Sequence, residues 1–137
     1  MKVIDTNVVS ELMRPSPAPA VTRWREEHLA TPLQTTSICV AELLLGVALL
    51  PAGRRKETLA QAVNAALVSF GDRVLDFDEA AAAEYATVRS DRQRGGEQIE
   101  ALDAQIAAIC RVHGATLVTR NTKDFRDTGV ELINPWE

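Results

Sequence analysis

Apolar and polar positions along this chain change period repeatedly, from short continuous apolar runs to spacings of three and four. Residues 1–5 form an apolar run that ends on Asp5, and residues 7–13 then take helical spacing until Pro15 and Pro17 stop it. Residues 18–29 carry Val21, Trp24, Arg25 and Leu29 at helical intervals, and Pro32 precedes a β-like stretch over 33–36. A helix is expected over about 38–50, with Ser37 as its N-cap and Glu42 in its first turns. That helix is apolar almost all round (Val40, Leu43, Leu44, Leu45, Val47, Leu49, Leu50), which predicts that part of it faces another subunit.

Gly53 opens a further helix to Phe70, with Leu59, Val63, Ala66 and Leu67 on one face. Residues 74–77 read as a short strand, Asp78 as the cap of an alanine-rich helix, and Gly95-Gly96 as its end. Asp103 is expected to open the next helix, which runs through Ile106, Ile109 and Val112 to Gly114; residues 115–119 then give the clearest buried strand, and Ile133 marks a last edge strand. Strands separated by helices argue for an α/β sandwich with a mainly parallel sheet, where ligand sites lie outside the carboxyl ends of the strands.

With 137 residues, 46% of them apolar, the chain is expected to form one domain, residues 1–137, around an ordinary core. No apolar run reaches the roughly 18 to 20 residues that cross a bilayer, and strand-like sequence begins without a basic and apolar leader, so a cytoplasmic location away from membranes is expected. Cys39 and Cys110 stand far apart in apolar helical contexts and read as buried free thiols. Fifteen Lys and Arg against 19 Asp and Glu leave a net charge of −4, so no global field attracts nucleic acid and any such contact is local. Arg54-Arg55-Lys56 and the series Arg89, Arg92, Arg94 are the candidates, each readable as a phosphate contact or as a solvated helix face.

Four acids fall at the edges of segments that otherwise read as buried: Asp5, Glu42, Asp103 and Asp124. A carboxylate taken out of water loses on the order of several kcal/mol unless a partner or a metal compensates, and convergence on a divalent cation supplies the reason. Singly, Asp5 and Asp103 are equally readable as helix caps, Asp124 as the cap of a turn, and Glu42 as part of an exposed polar strip; the joint pattern shifts the balance. His28 and His113 lack metal-ligand spacing, and no phosphate-cradling glycine loop occurs, which argues against zinc, a histidine-based ribonuclease and nucleotide cofactors. The aromatic residues are too dispersed for a base-stacking platform.

The segments Ile4-Asp5-Thr6-Asn7, Val40-Ala41-Glu42-Leu43, Asp103-Ala104-Gln105-Ile106 and Val118-Thr119-Arg120-Asn121-Thr122-Lys123-Asp124-Phe125, taken in this order, resemble the PIN-domain family, especially its bacterial toxin branch known as VapC and FitB. The resemblance implies a three-layer α/β/α sandwich and an endoribonuclease dependent on Mg2+, with Mn2+ able to substitute. It also implies a homodimer, inhibited by a cognate antitoxin through which alone it would touch DNA. It makes Asp5, Glu42, Asp103 and Asp124 the catalytic, metal-holding cluster, with Asn7, Thr119 and Asn121 as polar supports. Asn121 takes the place directly after Thr-Arg where some members carry the last acid, so Asp124, three residues on, is the looser match. Magnesium suits such oxygen donors, and a divalent cation suits phosphodiester hydrolysis because charge builds on the attacking and leaving oxygens.

Two other functions compete. A catalytically weak module could serve mainly within a DNA-binding repressor complex, contributing dimerisation through the apolar helix around Leu44. An acidic-cluster phosphatase is disfavoured because the first strand lacks the Asp-x-Asp pair of such enzymes. An acidic pocket would attract an arginine of an inhibitory peptide, and grooves beside Leu12, Met13 and Trp24 could hold its apolar residues.

Overall fold

Strands and helices alternate along the chain in the computed structural model, which covers residues 1–137. The order is β1 (Lys2–Ile4), α1 (Thr6–Leu12), α2 (Pro19–Glu27), β2 (Leu33–Thr36), α3 (Ser37–Ala48), α4 (Arg54–Phe70), β3 (Val74–Leu75), α5 (Glu79–Arg94), α6 (Ala101–His113), β4 (Thr116–Val118) and β5 (Leu132–Ile133). The strands form one five-stranded sheet in the order β3-β2-β1-β4-β5, and every neighbouring pair is parallel. The chain builds outward from β1 through β2 and β3, then returns to place β4 on the other flank of β1. That reversal leaves a crevice outside the carboxyl ends of β1 and β4, where loops diverge to opposite faces and a ligand can enter.

Alternation of side chains along the central strands creates two cores. Val3 and Leu117 join Ile106, Ala107 and Phe125 on one face, while Ile4 and Val118 join Val8, Trp24, Val63 and Phe70 on the other. Both faces are thus covered by helices, the three-layer α/β/α arrangement. Helix α6 buries Ala104, Ile106, Ala107, Ala108, Ile109 and Cys110, and its first turn lies at the crevice. Gly114 then adopts the left-handed conformation, φ 59°, that lets the chain reverse into β4 without a Cβ clash.

Helix ends differ from expectation at two informative places. The cap of α3 is Thr36, whose hydroxyl accepts from the Cys39 N–H at 3.1 Å; the last residue of β2 is still extended and so occupies the cap position, leaving Ser37 inside the helix to accept from the Phe77 N–H. Asp103 does not open α6 either. The helix begins at Ala101 after Glu100, which makes no side-chain cap bond, and Asp103 is its third residue. On α3, Leu43 is buried, but Leu44, Leu45 and Leu49 are 50%, 55% and 75% exposed, so the stripe expected to face another subunit does lie on the surface.

Leu117 sits on a central strand at zero exposure. Truncation there leaves a cavity between sheet and helix, and Leu117→Ala should lower unfolding free energy by about 3 kcal/mol, read by urea titration. A loss under about 1 kcal/mol would show that this layer collapses freely.

Candidate functional site

Asp5 is the first residue beyond β1, and its backbone N–H still pairs with the carbonyl of Val118 on β4 at 3.0 Å. Its carboxylate is 5% exposed and is satisfied from several directions. Oδ1 accepts from the Thr6 N–H at 2.8 Å, which caps α1; Oδ2 accepts from the Thr119 hydroxyl at 2.8 Å and from Asn7 Nδ2 at 3.3 Å. Thr119, the residue after β4, also accepts from the Asn121 N–H at 3.0 Å and from Asn7 Nδ2 at 3.3 Å, so its one donor and both lone pairs are used. Asn7 Oδ1 in turn accepts from the Arg120 N–H. The polar residues expected as supports therefore form one network, Asn121 through its backbone, and Asp5 is a helix cap as well as a member of the acidic group.

Glu42 reaches the same crevice from the second turn of α3, where its Oε1 accepts from the Thr6 hydroxyl at 2.8 Å. One free thiol joins them: Cys39, three residues earlier on the same helix face, lies 3.8 Å from Asp5 Oδ1. Ligand atoms of Asp5, Cys39 and Glu42 all fall within 4.8 Å of one another. Burial first, and the nearby Asp5 charge second, raise the Cys39 thiol above its ordinary value. Thr6 and Cys39 were missing from the sequence-derived set. The three-residue spacing of Cys39 and Glu42 is a signal that could have found the thiol; nothing local pairs Thr6 with Glu42.

Asp103 and Asp124 stand outside that tight group and line an adjoining cavity of about 370 Å³ with Arg89, Arg92, Gln98 and Glu100. Asp103 lies in the first turn of α6 and Asp124, exposed, on the turn after β4. Asp103 nevertheless feels the charges of the other three acids. Burial, followed by the charges of Asp5, Asp124, Glu42 and Glu100, pushes the Asp103 carboxyl up to about 6. Burial likewise raises Glu42, against the Thr6 hydrogen bond and with help from Asp5. It raises Asp5 too, despite the four hydrogen-bonding groups that favour its charged form. None of the ion pairs involves any of the four acids.

The basic residues sort differently from expectation. Arg54 and Arg55 are exposed, as a solvated face requires, but Arg92 is 7% exposed and its guanidinium points into the protein. A larger groove of about 570 Å³, lined by Leu12, Met13, Leu29, Ala62 and Phe70, opens on the face of α1 and contains none of the four acids; Trp24 is buried beneath that face. No helix is long and apolar enough to cross a membrane.

Residues 2–131 match the family described as PIN domain. The chain is 40% identical to Toxin FitB of Neisseria gonorrhoeae over 137 residues, 99% of both chains. It is 38% identical to a VapC ribonuclease of Sinorhizobium fredii over 138 residues, covering 100% of this chain and 99% of that one. Its structure is similar to that of FitAB bound to a DNA fragment, with a TM-score of 0.92 and 40% identity over 100% of this chain and 96% of the other.

The raised carboxyl of Asp103 fixes the sign of a pH effect. Between about pH 4 and 6 the folded protein holds a proton that the unfolded chain has released, so stability is present at the acid side of this window and falls as pH rises through it. With chelator present, the melting temperature of the wild type should decline from pH 5 to 7, and Asp103→Asn should flatten that decline and melt higher at pH 7. Parallel slopes in the two proteins would contradict the raised carboxyl of Asp103.

Proposed function

This chain belongs to the PIN-domain family, and on that premise we propose that it is a divalent-metal-dependent endoribonuclease, the toxin of a toxin–antitoxin pair. The observation that carries the reading is the uncompensated negative charge around the end of β1: clustered carboxylates without a single ion-pair partner, one of them raised to about 6 by burial and by its neighbours. Such a site repels an RNA phosphate unless a cation intervenes. Its donors are mainly hard carboxylate oxygens and suit Mg2+ or Mn2+. Asp5, Glu42 and Asp103 would hold the ion directly, and Asp124 would add a further oxygen donor, directly or through water. When bound, it would supply charge neutralisation at the phosphodiester and lower the pKa of water beside it.

The protein's own groups supply orientation. Asp5 is held on both oxygens by Thr6, Thr119 and Asn7, so its carboxylate enters the site in one pose. Glu42 has one oxygen fixed by Thr6 and the other free to take a proton from, or aim, an attacking water. Asn7 and Thr119 tie α1 to the turn after β4, which keeps the two walls of the crevice together. RNA as substrate agrees with the ribonuclease name of the Sinorhizobium relative. The apolar groove beside Leu12 and Met13 suits an amphipathic segment of an antitoxin, whose arginine could reach the acids. The exposed leucines of α3 suit a second copy of the chain.

A second reading is supported by the neighbour solved as FitAB on DNA: a weakly catalytic subunit that acts mainly within a DNA-binding repressor complex. Equal operator affinity of the antitoxin with and without this chain would reject it.

Purified protein free of antitoxin should cut mixed RNA with Mg2+ or Mn2+ and stop with chelator. Asp5→Asn and Asp103→Asn should each lower the rate by about 100-fold or more while the far-UV spectrum stays unchanged; cleavage retained in both variants would reject the nuclease reading. Light scattering tests the assembly separately. The wild type should run as a dimer and Leu45→Glu with Leu49→Glu as a monomer, whereas a dimer that survives both charges would move the interface elsewhere.

A further inference from the structure

Arg92 belongs to a helix end that reads as a basic surface strip, yet its side chain is buried. A guanidinium keeps its charge inside a protein, so its burial demands acceptors. They come almost wholly from backbone. Nη1 donates to the carbonyls of Asp124 at 3.2 Å and Arg126 at 2.6 Å, and Nη2 to that of Gln98 at 3.4 Å. The one carboxylate in range, Glu97 at 3.8 Å, belongs to a side chain 66% exposed to solvent, and Nε has no partner. This charge is spent on geometry.

The three carbonyls belong to two separate segments. Gln98 lies just before α6, three residues ahead of the helix whose first turn carries Asp103. Asp124 and Arg126 lie on the turn that follows β4, anchored below by the fully buried Phe125 and containing Asp127 at a left-handed φ of 61°. Nothing in regular secondary structure joins these segments, and Arg92 lines the same cavity as Asp103 and Asp124. We propose that Arg92 is a positioning residue which fixes the separation of Asp103 and Asp124 by gripping the backbone that carries each. The inference rests on reading the acids as a metal site, and concerns how that site is held in shape. A lysine would keep the charge, but a single ammonium cannot span carbonyls on both segments.

The test combines Arg92→Lys, Asp124→Asn and the double variant, with Mn2+ binding measured by calorimetry and amide hydrogen exchange measured along the chain. Arg92→Lys should weaken Mn2+ binding by about tenfold, the scale for groups that orient metal ligands. It should also speed exchange of amides 121–128 while amides of α4 keep their protection. In the Asp124→Asn background the same change should cost markedly less, because one of the two acids whose separation Arg92 sets is already gone. Equal losses in both backgrounds, or unchanged exchange at 121–128, would overturn the proposal. Wild-type protein that binds no Mn2+ would overturn the metal reading instead, and the exchange data would still decide whether Arg92 braces the turn. Should Arg92→Lys fail to fold, Arg92→Gln, with amide donors for one segment only, is read the same way.

Discussion

The carboxylate of Asp5 is buried at the point where the sheet reverses its build direction, and the hydrogen-bonding groups around it offset part of what burial costs its charge. Burial pushes its proton affinity up, while Thr119, Thr6, Cys39 and Asn7 push it down. The strand pairing of β1 with β4 sets Thr119 against Asp5, the start of α1 supplies a backbone donor, and α3 brings the thiol and Glu42. Remove the parallel register between β1 and β4, and the polar network has no geometry. Hydrophobic layers on both faces hold that register, so the apolar architecture and the acidic crevice are one design constraint seen from two sides.

Repulsion is the opposing force. Neighbouring acids raise Asp103 and Glu42 in addition to the cost of burial, and the free protein carries that strain in its resting state. A site that stores repulsion gains more from a cation than a neutral site would, because the ion relieves a penalty already present in the fold. The acids arrive on different elements: Asp5 follows a strand, Glu42 and Asp103 sit on separate helices, and Asp124 lies on a turn, so none depends on another acid for its place.

Much of the frame was legible in the sequence because period and punctuation agree there: Pro15 and Pro17, Pro32, Gly53, Gly95 and Gly114 mark the breaks between apolar runs of clear type. The Thr36 cap was missed because Ser37 offers the same chemistry one position later, and only the extended backbone of Thr36 decides between them. Asp103 was expected at a helix start and lies within the first turn, a shift of the kind that loops without strong signals permit. The acids themselves were legible as residues out of place. Thr6 and Cys39, which touch them, were not, since a hydroxyl or a thiol has ordinary uses anywhere and only the fold brings residues 36 positions apart together. Arg92 was the plainest failure: a charge on a polar helix end reads as solvated, and its carbonyl acceptors have no sequence signature at all.

Both edges of the sheet are minimal. β3 and β5 contain two residues each, so the rim offers almost no row of free N–H and C=O groups on which a foreign strand could extend. Whatever this protein sticks to, it meets through side chains. A two-fold contact through the exposed leucines of α3 would close at two copies, whereas strand addition continues without limit. A chain produced in excess thus has little edge from which a fibre of added strands could grow.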